Sequence, residues 1–187
     1  MSEICVNVIC QGWQHQAPWM KGAKEFLTKI FNKIDVPVFF VENLSHNLPR
    51  AHASWYKLLL HKHHDYKYDS ILSWDLDLLP VSVEAVENII FSISKNINKF
   101  YVCKDTYLLK NKIEQFAELD VCKNFRWNCG LISIPKIAAL MMEEIYLKNY
   151  TSTKPSWEQY HLADYFFDHM GIAACKRNNP QDFSLTA

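Results

Sequence analysis

Apolar positions along the chain follow two rhythms in turn, short β-branched runs and longer stretches at helical spacing. Ile4 to Cys10 is the first such run and predicts a strand. Pro18 then suits the first turn of a helix, where a missing N–H leaves no bond unmade. Trp19, Ala23, Phe26, Leu27, Ile30, Phe31 and Ile34 recur at helical intervals and predict one buried stripe. Val36 to Val41 reads as a second strand. Pro49 opens a second helix, with Ala51, Trp55, Leu58, Leu59 and Lys62 along one face and a polar end at 61–65. Ser70 begins a third strand. Ser82 is placed to cap a helix through Lys95, with Val86, Ile89, Ile90 and Ile93 inward.

Phe100 to Lys104 reads as a further strand. The charged, weakly periodic segment from Asp105 to Asn124 is expected to hold a helix near Leu108 to Leu119. Trp127 to Ile134 is strand-like, and Pro135 starts a helix through Leu147. Ser156-Trp157-Glu158-Gln159 matches the pattern in which a serine and a glutamine exchange capping bonds, so a last helix is expected to about His169. Gly171 fits its left-handed stop, and Ile172 to Cys175 is a final strand candidate.

Strands alternating with helices in this way predict a three-layer α/β/α sandwich around a mainly parallel, Rossmann-like sheet. Ligands in such sheets bind outside the carboxyl ends of the strands. Two segments converge on that edge: the loop Gln11 to Ala17 and the end of the third strand, Ser70-Ile71-Leu72-Ser73-Trp74-Asp75-Leu76-Asp77-Leu78-Leu79-Pro80. In extended chain Asp75 and Asp77 point to the same side and Leu76 to the other. Neighbouring carboxylates repel unless a cation or a shared proton lies between them. A hard divalent ion, Mg²⁺ or Mn²⁺, is the natural occupant beside phosphate oxygens. An isolated D-x-D also reads as two solvated acids at a strand end.

The 187 residues suit a single domain, 1–187, with a tail from about 176 expected to fray. Lys plus Arg and Asp plus Glu number 20 each, so no bulk field draws the chain to nucleic acid or an anionic membrane surface. No basic N-terminal stretch leads into an apolar run, and no apolar stretch is long enough to span a bilayer, so a cytoplasmic location is expected. The six cysteines include no C-x-x-C pair and several fall in strand-like apolar runs, which suits buried thiols rather than disulfides. His61, His63 and His64 read as a solvated helix end rather than a zinc site, because no cysteines stand at ligand spacing.

The motif order resembles the GT-A fold of nucleotide-sugar-dependent glycosyltransferases, the nucleotide-diphospho-sugar transferase superfamily. The resemblance rests on the hydrophobic-D-x-D strand and on the helix Ala53-Ser54-Trp55-Tyr56-Lys57 ahead of it. It continues in Phe125-Arg126-Trp127-Asn128-Cys129-Gly130-Leu131-Ile132-Ser133-Ile134, similar to an aromatic-N-x-G-hydrophobic strand, and in the acidic-Gln step Trp157-Glu158-Gln159. It spans roughly residues 4 to 170.

This resemblance implies a UDP- or GDP-sugar donor, a hydroxyl acceptor such as a saccharide, and Mn²⁺ or Mg²⁺ held by Asp75 and Asp77. It implies that Gln11, Gly12 and Trp13 meet the nucleotide and that Lys57 reaches the ribose or phosphates. Trp74 is grouped with these donor-side residues, and Asn128 and Gly130 wall the donor sugar. Glu158 is implied as general base, with Asp164 a second candidate. His161 and His169 fall inside the last helix, where no family metal ligand is matched, and an acceptor region supplied by a second copy of the chain stays open.

Two other readings stand beside it. A non-catalytic nucleotide-sugar-binding module on the same scaffold is one. The other is a phosphatase of the haloacid dehalogenase class, which also uses D-x-D but normally has Thr or Val where Leu79 stands.

Overall fold

In the computed structural model, residues 3–10, 18–42, 53–104, 116–118, 127–149 and 162 are described. The first strand, β1 (Ile4–Ile9), is buried along its whole length, as a strand covered on both faces must be. Ile4, Val6 and Val8 join one apolar cluster and Cys5 and Ile9 another, so β1 separates two cores. The first helix, α1 (Pro18–Phe31), lays Met20, Ala23, Leu27 and Phe31 on the sheet. Trp19 is 55 % exposed, so the buried stripe is rotated from the expected one, with Met20 taking the inward place. Full burial of Leu27 stabilises by roughly 2 kcal/mol.

The second strand, β2 (Val38–Val41), pairs parallel to β1, starting at Val6↔Val38. It begins later than the apolar run because Pro37 has no N–H to give a ladder; its carbonyl accepts from the Val6 N–H at 2.9 Å. The chain then crosses back as a 3₁₀ helix, Ala53–Leu59, that runs directly into α2 (Leu60–His63). The third strand, β3 (Ser70–Asp75), lies on the other side of β1, with Ile4↔Ser70 through Ile9↔Asp75 in register. Crossovers of one hand running in opposite directions put their helices on opposite faces. Accordingly α1 packs in the cluster with Val6 and Leu72, and Tyr56 and Leu60 in the cluster with Cys5 and Ile71.

Ser82 caps α3 (Val83–Lys95) as expected, its hydroxyl accepting from the Ala85 N–H at 3.1 Å. Val86 and Ile93 are buried, and Ile89 and Ile90 pack partly buried beside them. After β4 (Tyr101–Lys104) comes β5 (Phe116–Glu118), a strand where a helix was expected. Its three residues pair with β4, too short a run for periodicity to reveal. The last described strand, β6 (Trp127–Pro135), leads through a 3₁₀ turn at Lys136–Ala138 into α4 (Ala139–Asn149).

The six-stranded sheet has the order β2-β1-β3-β6-β4-β5. β1, β2, β3 and β4 run one way, and β5 and β6 run against them. The Trp55 and Leu58 side chains, α4 and Leu162 close one face around Ile132 and Ile134, completing the three layers. Apart from Leu162, the helix expected from Ser156 and the final strand candidate lie outside the described residues.

The polar end of α2 is only partly solvated: Lys62, His63 and Asp65 are exposed, but His61 and His64 turn inward. His61 is 3 % exposed and donates from Nε2 to the Ile134 carbonyl at 2.8 Å, tying α2 to β6. His64 donates from Nε2 to Asn7 Oδ1 at 2.7 Å, and Asn7 in turn donates to Cys5 Sγ at 3.3 Å. The chain then reverses through Asp65 and Tyr66, whose φ values of 48° and 56° both lie in the left-handed region. The Lys67 N–H closes that turn on the His64 carbonyl at 3.0 Å, and the Tyr66 hydroxyl donates to Glu143 on α4. His63 is exposed as expected; His61 and His64 were read as exposed because no sequence signal marks a partner on a distant strand. Burial lowers the pKa of both His61 and His64, so both are neutral near pH 7.

Candidate active site

The sheet order itself selects a place for a ligand. The chain leaves β1 toward β2 on one side and reaches β3 on the other, so the β1–β3 junction is a topological switch point. Register pairs Ile9 with Asp75, so both strands finish at the same level on their carboxyl edge.

Asp75 is the last residue of β3, and the Leu78 N–H donates to its carbonyl at 3.0 Å. The second aspartate therefore sits on a turn, not on extended strand as expected. The alternation in burial is nevertheless kept: Asp75 is half-buried, Leu76 is buried in the α1–α3 core, and Asp77 is exposed. Trp74 anchors this turn. Its indole is 2 % exposed, meets Phe31 edge-on at 5.2 Å between ring centres, and donates to the Leu78 carbonyl at 2.7 Å. Sequence reasoning grouped Trp74 with the donor-side residues; the structure places its indole in the core beneath the Asp75–Leu78 turn, which it shapes.

Lys57 occupies the other side of Asp75. The 3₁₀ helix directs it inward, and its ammonium meets Asp75 Oδ1 at 2.8 Å and the Cys129 carbonyl at 2.7 Å. The lysine side chain is 2 % exposed and the aspartate side chain 35 %. It is therefore not a solvated lysine. A buried ammonium needs oxygen partners to offset lost hydration, and here one is a carboxylate and the other a backbone carbonyl.

The carbonyl belongs to the aromatic-N-x-G strand. β6 keeps regular register with β3 from Pro135↔Ser70 to Leu131↔Trp74. On its other edge it jumps: Val102 pairs with Ile132, but Cys103 pairs with Asn128. The register therefore shifts across Cys129, Gly130 and Leu131, a bulge of the kind that re-aims chain beside functional sites. Glycine in the bulge permits close backbone approach. The D-x-D turn, Lys57 and this bulge come together through two polar contacts on one ammonium.

Of the remaining sequence-predicted residues, Gly130 is buried in the bulge and Asn128 has its backbone in β6. Gln11, Gly12, Trp13, Glu158 and Asp164 lie outside the described residues. Sequence reasoning missed the Lys57–Asp75 pair, because residues eighteen apart on different elements leave no local pattern. Cys5 and Cys10 are buried thiols, their pKa values pushed up to about 12 and about 11 by burial, as the apolar context of each predicts.

A hard divalent cation fits this edge. Asp75 and Asp77 offer only oxygen donors, one half-buried and one exposed. Among the described residues no group of three or more candidate ligands is assembled, so these residues supply two carboxylates. Mg²⁺ and similar ions are commonly held in that way, by one or two carboxylates together with substrate phosphates.

No protein-family model and no curated protein matches the chain. Among solved structures it is similar to a glycosyltransferase involved in the glycosylation of the major capsid of PBCV-1, at 12 % identity and a TM-score of 0.57, covering 92 % of this chain and 78 % of that one. It is also similar to 4-diphosphocytidyl-2C-methyl-D-erythritol synthase from Anaerococcus prevotii DSM 20548, at 13 % identity and a TM-score of 0.46, covering 88 % and 82 %. The first likeness defines the class of fold: an α/β domain of the GT-A, nucleotide-diphospho-sugar transferase type. Among the described residues no helix is long and apolar enough to cross a membrane.

Proposed function

We propose that this chain is a metal-dependent glycosyltransferase that moves a hexose from a UDP- or GDP-sugar to a hydroxyl acceptor. The observation that carries the proposal is the meeting of the D-x-D turn and the aromatic-N-x-G bulge at the switch point of a GT-A sheet. Asp75 and Asp77 would hold Mn²⁺ or Mg²⁺, which as a Lewis acid stabilises charge on a leaving diphosphate. Gln11, Gly12 and Trp13 follow β1 directly in sequence and would meet the nucleotide. The bulge around Gly130, with Asn128, would wall the sugar, the amide giving and accepting hydrogen bonds with its hydroxyls.

In the transfer itself, the acceptor oxygen forms a bond to the anomeric carbon. The bond from that carbon to the diphosphate oxygen breaks, and its electron pair leaves with the phosphate. The hydroxyl proton passes to a carboxylate, for which Glu158 is the first candidate and Asp164 the second.

Calorimetric titration with UDP and GDP, with and without Mn²⁺, tests the reading. Manganese-dependent uptake that falls at least about tenfold in Asp77→Ala is expected. Absence of any manganese-assisted nucleotide binding would sink it. Phosphate release from generic esters would point to the phosphatase chemistry instead, and binding without donor hydrolysis or sugar transfer to an inert module.

A further inference from the structure

The proposed cation site contains a cation already. Lys57 is a positioning residue whose charge lies within hydrogen-bond distance of one of the two carboxylates, at 2.8 Å from Asp75 Oδ1, and is fixed there by burial and by the Cys129 carbonyl. With the ammonium in place, Asp75 and Asp77 present one net negative charge between them instead of two. A divalent ion bound to them then leaves these three side chains and the ion together one unit positive. A nucleoside diphosphate brings the negative charge that reverses this excess.

From this geometry, and resting on the function proposed above, we infer that Lys57 biases how the site loads: it suppresses capture of the bare divalent ion and favours capture of the diphosphate, so the ion is held mainly together with its nucleotide. Through its contact with Asp75 the lysine acts on the site by its charge. A like charge a few ångströms from a divalent ion is worth on the order of tenfold to a hundredfold in affinity where solvent still reaches the site. The same ammonium attracts the diphosphate, so its removal should weaken the nucleotide's own affinity while it strengthens that of the bare ion. The anchor on Cys129 adds a second effect, holding the donor-side bulge at a set distance from the aspartate turn.

Isothermal titration of the full chain with Mn²⁺ alone, UDP alone and both together reads the coupling, after allowing for Mn²⁺–UDP complexes formed in solution. In the wild type UDP should tighten Mn²⁺ binding by on the order of tenfold to a hundredfold. Lys57→Met should bind Mn²⁺ alone about tenfold more tightly than the wild type and UDP alone several-fold more weakly, and Mn²⁺ alone should raise its melting temperature. Lys57→Arg, which keeps the charge, should restore the wild-type pattern.

A purely structural lysine would instead weaken Mn²⁺ and Mn²⁺–UDP binding by the same factor on removal, and that result overturns the inference. If Lys57→Met does not fold, the wild type decides by itself: Mn²⁺ bound as tightly without UDP as with it also overturns the inference. No binding of any nucleotide with Mn²⁺ means that the proposed function has failed. Binding of both ligands without coupling removes only the role assigned to Lys57.

Discussion

Acidification should loosen this fold through His64, at a pH where most proteins retain their stability. Its Nε2 donates to Asn7 Oδ1, and its ring packs against Phe39 at 4.6 Å and Tyr68 at 5.3 Å between centres. Burial and the neighbouring His63, His61 and Lys67 charges all oppose protonation, and only Asp65 favours it. The result is a pKa lowered from 6.5 to about 4. Between those values the unfolded chain binds the proton and the folded one does not, so stability falls as pH drops from about 6.5 toward 4. Between pH 7 and pH 4.5 the full shift corresponds to about 2.4 kcal/mol. The ring is only half-buried, and solvent screening brings the expected loss nearer 1 kcal/mol.

Carboxylates titrate in the same window, so the useful quantity is a difference between two proteins. His64→Gln keeps a donor for Asn7 and cannot titrate. Urea unfolding of both proteins, followed by tryptophan fluorescence at several pH values, should show a flatter dependence in the variant by about 1–2 kcal/mol over this range. Parallel curves would refute the reasoning, as would an NMR titration of His64 with an ordinary midpoint near 6.5.

Two further outcomes are expected from packing and backbone geometry. Ser70→Ala removes the buried partner of the Ser133 hydroxyl, held at 2.7 Å, and should cost about 1–3 kcal/mol in urea unfolding, while the double change to alanine should recover part of the loss. Asp65→Gly relieves a left-handed residue and should add about 0.5–1 kcal/mol, read as a higher midpoint; a fall in midpoint would show that the aspartate side chain supports the turn.

The strands and helices with many residues on one rhythm were legible. β1, β3, α3 and β6 follow directly from apolar runs and from Ser82, because burial on both faces of a sheet forces continuous hydrophobic sequence. What escaped has short range or long reach. β5 spans three residues, fewer than any periodic signal requires. The stripe on α1 was displaced because Met20 was left out of the apolar count while Trp19 was included. At the site, the D-x-D and the aromatic-N-x-G segment were visible as strings, and their meeting followed from strand order. The ammonium between them was not visible, because a lysine on a helix looks alike whether it faces water or an aspartate eighteen residues away. Trp74 went astray for a similar reason: an aromatic ring beside a motif carries no sign of which side of the sheet it takes.

The uneven edge of β6 separates two jobs that sheets ordinarily couple. Toward β3 its spacing is locked by core side chains, while toward β4 the slack at Cys129 and Gly130 absorbs any mismatch. The outer hairpin of β4 and β5 is thereby released from the register of the inner strands. Lengthening or shortening those outer strands need not disturb the aspartate turn, so the outer part of the sheet is free to diverge while the inner strands stay fixed.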